Sequence, residues 1–154
     1  MKTFIVILFI AFIWFTIYNK YLKKIVENYV QTYLKLKKVG GIKNKYSKLI
    51  SYFDGFDIYN EPQILRDKTL YYEIGWAGAT TIMIATFIES FNEISININI
   101  KPNTKNIKRH GRYSPESYNK INKKLEWIFD ENMDQDIMYN IIINELNDYI
   151  EHGI

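Results

Sequence analysis

Residues Glu93–Lys101 read EISININIK, and this stretch decides the fold class. Ile94, Ile96, Ile98 and Ile100 alternate with Ser95, Asn97 and Asn99. A period of two places one apolar row on one face of a strand and a polar row on the other. Pro102-Asn103 stops it. Just upstream, Thr80–Ile88 (TTIMIATFI) is apolar on both faces and reads as a central strand. Thr69–Trp76 (TLYYEIGW) is rich in strand-forming residues and runs into Gly75 and Gly78. Short connections between these runs imply an antiparallel meander with helices covering one face. A further strand is expected at Phe56–Tyr59, before Glu61-Pro62, giving a small sheet of three to four strands.

Helical spacing surrounds this sheet. Tyr46, Leu49, Ile50 and Phe53 share one face of a short helix that ends at Asp54-Gly55. Ser114-Pro115-Glu116 supplies a capping hydroxyl, a proline at the first position and an early acid. It predicts a helix with Tyr118, Ile121, Leu125 and Ile128 inward. A last helix is expected from about Asp134 to Glu151, with Met138, Ile141, Ile142, Leu146, Tyr149 and Ile150 inward. The fold class is therefore α+β, ending in two C-terminal helices joined by the acidic link Asp130–Asp136.

The N-terminal part is different in kind. Thr3–Tyr18 (TFIVILFIAFIWFTIY) carries no charge, Gly or Pro. As a helix its sixteen residues extend about 24 Å, slightly short of a bilayer's hydrocarbon layer. Its Leu, Ile, Phe and Val residues favour insertion by roughly 3 to 7 kcal/mol. Thr16–Lys20 offers no small-residue cleavage site, so an uncleaved transmembrane anchor is expected, contacting lipid through Phe4–Tyr18. Lys20, Lys23, Lys24, Lys35, Lys37 and Lys38 follow it, which favours a cytoplasmic C-terminal domain. Leu22, Ile25, Val26, Tyr29, Val30, Tyr33 and Leu36 then recur at spacings of three and four until Gly40-Gly41. This amphipathic helix either lies in the membrane interface or packs on the domain core, and core packing is the expectation. The expected organisation is an anchor over 1–19, a juxtamembrane helix over 20–41 and an α+β domain over 42–154.

Charge is unevenly distributed. The 20 basic residues all precede Leu125, and the 30 residues from there onward carry acids alone. An uncompensated acidic surface repels nucleic acid and speeds encounter with basic proteins. Glu126, Asp130, Glu131, Asp134 and Asp136 are the candidate partner-binding residues.

Chemistry finds little purchase. The chain has no cysteine and two histidines, His110 in the basic run Lys105–Arg112 and His152 near the C-terminal end. A Ser114–His110 pair carries no specific signal for nucleophilic catalysis. Asp130-x-Asn132-x-Asp134-x-Asp136 resembles the start of a calcium loop, but Gln135 and Ile141 occupy the places of the required Gly and bidentate Glu. It reads as an acidic turn. No catalytic residue, cofactor or metal site is expected. The expected role is a membrane-anchored, non-enzymatic binding protein that captures a basic protein partner, as a bacterial toxin immunity protein would. The alternative is an accessory or structural subunit of a membrane complex.

Overall fold

Five antiparallel strands run in chain order across one sheet: β1 (Gln63–Lys68), β2 (Tyr71–Ala77), β3 (Thr81–Ser90), β4 (Glu93–Pro102) and β5 (Lys123–Asp130). Four helices accompany them among the described residues: α1 (Lys2–Val39), α2 (Ile42–Lys45), α3 (Ser47–Asp54) and α4 (Gln135–His152). The computed structural model describes residues 2–55, 61–104 and 122–152.

The strand at Glu93 is as its alternation requires. Ile94, Ile96 and Ile98 are buried and Ile100 packs against the same core. Register aligns them with inward residues on both sides: Tyr72 pairs with Phe87, Phe87 with Ile96, and Ile96 with Trp127. The inward row is thus continuous across four strands, and cross-strand pairs of this kind are the unit of sheet stability. β3 is the central strand. Leu49, Ile50 and Phe53 of α3 and Met138, Ile142 and Leu146 of α4 close over that face, all buried. Phe53 meets Phe87 edge to face, with ring centroids 5.5 Å apart. Each such side chain contributes about 1.5–3 kcal/mol relative to exposure.

Two sequence expectations are corrected. The helix carrying Leu125 and Ile128 is strand β5 over Lys123–Asp130, so one C-terminal helix, not two, occupies the described residues beyond β4. The physical reason is β4, whose outer edge offers eight residue positions that β5 pairs in full. In a strand Leu125, Trp127 and Phe129 all face the core, whereas Ile128 points outward and is 61% exposed. The strand count is also five rather than three to four. β1 (QILRDK) has no alternating apolar row and every residue in it is exposed; among the described residues β2 is the strand it pairs with. Phe56–Tyr59, the Ser114 cap, Tyr118, Ile121 and the basic run Lys105–Arg112 lie outside the described residues.

α1 is a single helix through both N-terminal segments, about 57 Å long at the usual rise. No Gly or Pro interrupts it until Gly40-Gly41. There Gly41 N–H donates to Leu36 O at 2.8 Å and Gly40 N–H to Lys37 O at 3.3 Å, the paired bonds of a Schellman ending. Both glycines have φ near +90°, at 86° and 90°, where a side chain is strained. Gly41 also passes close over Thr69, whose carbonyl accepts from Ile42 N–H at 3.2 Å. The C-terminal turns of α1 dock on the domain through Thr32 and Leu36, both buried. Its earlier apolar residues do not: Phe12, Trp14, Phe15, Ile17, Tyr18, Tyr21, Val26 and Tyr29 are each more than half exposed. Among the described residues no helix is long and apolar enough to cross a membrane.

Candidate functional site

Antiparallel order places the β1–β2 turn, the β3–β4 turn and the end of β5 at the same end of the sheet, where Glu93 pairs with Asp130. The docked turns of α1, then α2 and α3, meet the acidic segment Asp130–Asp136 there. The acids nominated from sequence therefore sit opposite lysines from the N-terminal third.

Glu131 turns inward, its side chain 10% exposed, and accepts from Lys45 Nζ at 2.8 Å and Lys35 Nζ at 3.2 Å. Lys45 also donates to Glu89 Oε1 at 2.9 Å, and the Glu89 side chain is fully buried. Lys45 hydrogen bonds hold the Glu131 carboxyl below the ordinary carboxylate value against the opposing effect of burial, with Lys35 assisting. Burial works to lower the Lys45 ammonium, but its bonds to Glu131 and Glu89 prevail and raise it. Tyr46 lies beside this cluster, and burial together with Glu89 pushes its hydroxyl far up. The group ties α1, α2, β3 and the β5–α4 turn into one unit.

Asp136 accepts from Lys48 Nζ and from the Tyr52 hydroxyl of α3, and these bonds lower its carboxyl. Asp134 caps α4, its Oδ1 accepting from Asp136 N–H at 2.8 Å and Ile137 N–H at 3.3 Å. Asp130 Oδ1 accepts from Asn132 N–H at 2.8 Å and shapes the turn. Glu126, exposed on β5, lies 3.0 Å from Lys124 Nζ. Thus Glu131 and Asp136 serve the fold, while Glu126, Asp130 and Asp134 present carboxylates outward. Among the described residues no group of three or more His, Cys, Asp or Glu side chains could hold a metal ion.

Several residues at this end escaped the sequence reading. Gln135 carries no charge, yet its Oε1 accepts from Leu49 N–H at 2.9 Å and its Nε2 donates to Lys45 O at 3.0 Å, stitching α2 and α3 to α4. Phe91 occupies the β3–β4 turn with φ 54°, followed by Asn92 with φ 64°, and is 48% exposed. Two left-handed residues make a tight hairpin turn that ordinarily takes Asn-Gly. The signal was the pair of strand runs separated by four residues without glycine. Phe91, with Tyr21, Lys24, Ile25 and Asn28 of α1, lines an open cleft of about 340 Å³. No protein-family model, curated protein or solved structure matches the chain.

Proposed function

We propose that this chain is a membrane-tethered, non-enzymatic binding protein. α1 holds the domain at the bilayer through the apolar run Phe4–Tyr18, and the domain captures a basic protein partner. The observation that carries this reading is the division of labour along α1: Thr32 and Leu36 are seated in the domain, whereas the apolar side chains from Phe12 to Tyr29 stand largely free of it. A helix fixed at its C-terminal end and apolar over Phe4–Tyr18 at the other suits a tether.

For capture, Glu126, Asp130 and Asp134 are the surface acids of the five nominated from sequence, and Glu131 and Asp136 act within the fold. A toxin immunity protein that works by occlusion fits such a surface. The test neutralises charge without removing the cap or turn, through the triple variant Glu126→Gln, Asp130→Asn, Asp134→Asn, since Asn caps as Asp does. Purified in detergent from its host membranes, the wild-type chain is expected to retain a basic protein at low salt and release it at high salt. The triple variant should lose it at both. Equal retention by the variant would remove the acidic surface from the account and favour an accessory subunit contacting its complex through α1.

A further inference from the structure

The residue the fold explains least is Phe91. A bulky side chain with φ 54° is costly, and its ring is not repaid by burial, being 48% exposed. Asn or Gly serves a two-residue turn better. A local choice that works against the fold marks a place where something else decides the residue.

Its position along α1 says what. Tyr21, Lys24, Ile25 and Asn28 form the cleft with Phe91. At the usual rise these lie about 5 to 15 Å beyond Tyr18, where the apolar run ends. The polar layer on each side of a bilayer is about 5 to 8 Å thick, so the hairpin tip stands at or just beneath headgroup height. Asn92 is pinned lower on the helix, 3.4 Å from Lys35 Nζ, and Phe91 lies alongside the turns nearer the apolar run. Charge agrees on balance: Lys20, Lys23 and Lys24 stand at this level of α1 against the single acid Glu27, which lies 3.9 Å from Lys23, and Glu131 below the tip is neutralised by Lys35 and Lys45.

We propose that the β3–β4 tip is a second membrane contact: Phe91 enters the headgroup layer beside α1, and the cleft between them receives a phospholipid headgroup whose phosphate pairs with Lys24. Two contacts fix the domain's tilt where a helix alone leaves it free to swing. Tyr21 and Phe91 supply aromatic bodies suited to the interface, and the lysine supplies the phosphate partner. This contact rests on the tethered reading.

The chain has no cysteine, so single labels are clean. Phe91→Cys and, at the opposite end of the sheet, Ala79→Cys are each labelled with an environment-sensitive fluorophore. The full-length chain is then reconstituted into vesicles of phosphatidylcholine and phosphatidylglycerol. The label at 91 should shift to the blue and be quenched by lipid-borne nitroxide, and the label at 79 should be quenched only by aqueous iodide. Adding Lys24→Gln should reduce the shift at 91 and leave 79 unchanged. An aqueous signal at 91 in a chain that floats with the vesicles overturns the second contact and leaves the tether standing. A chain that does not float overturns both. A blue-shifted signal at 91 already present in lipid-free detergent, with disulfide cross-linking between unlabelled Phe91→Cys chains, overturns it in favour of a second copy.

Discussion

Phe91 and Glu131 are single residues whose surroundings set measurable quantities. Replacing Phe91 by Asn relieves the left-handed strain and removes an exposed ring. Phe91→Asn should therefore raise stability by about 1 kcal/mol, read as a higher urea midpoint at unchanged slope. A lower midpoint would mean that the ring is held by packing after all. Glu131 is held low mainly by Lys45, so folded protein binds fewer protons there than unfolded protein. Its contribution is complete at neutral pH and is lost as pH falls below the ordinary carboxylate range through the lowered folded value. Lys45 behaves inversely, contributing fully at neutral pH and losing its share only as pH rises past the ordinary lysine range. In Glu131→Gln the acid-side fall in stability should be shallower than in wild type. Parallel profiles of midpoint against pH would show that Glu131 is not a source of acid sensitivity. Phe91 did not announce itself in sequence, and Glu131 was nominated there for partner binding rather than for the fold. Glu131 sat within an acidic run, where solvation is the default reading, and only the approach of Lys45 and Lys35 from distant segments turns it inward.

The elements divide into those whose own pattern is sufficient and those decided by a neighbour. β4 follows from its alternating isoleucines, α3 from Leu49, Ile50 and Phe53, and α4 from Met138, Ile142 and Leu146. β5 does not. Ile121, Leu125 and Ile128 satisfy helical spacing while Leu125, Trp127 and Phe129 satisfy strand spacing, and the free edge of β4 decides between them. β1 is invisible alone because its residues face solvent and its register comes from β2. α1 is where an element's pattern splits: the stripe from Leu22 to Leu36 was read as packing on the core, but along it only Thr32 and Leu36 are buried, whereas Tyr21, Ile25, Tyr29 and Tyr33 border open clefts against the domain. Leu36 is therefore the bolt. Leu36→Ala, at a fully buried position, should cost about 3 kcal/mol in the detergent-solubilised chain. A loss well under 1 kcal/mol would mean that the domain does not depend on the helix.

Taken whole, the molecule is a helix about 57 Å long with a five-stranded α+β domain fixed to its C-terminal turns. Lysines of the N-terminal third and acids of the C-terminal third looked like two separated surfaces in the sequence, yet Lys35, Lys45 and Lys48 meet Glu131 and Asp136 across one end of the sheet. Charge segregation along a chain is thus not charge segregation on a surface. Of the five nominated acids, Glu126, Asp130 and Asp134 remain outward, as does the largely free apolar length of α1. The proposed tether would give that length its purpose. The most direct measurement is alkaline carbonate extraction of membranes from cells making the full-length chain, compared with a variant carrying Phe9→Lys and Phe12→Lys. The wild-type chain should stay with the membrane pellet and be released by detergent alone, and the variant should move to the supernatant. Wild-type protein in the carbonate supernatant would contradict the tether.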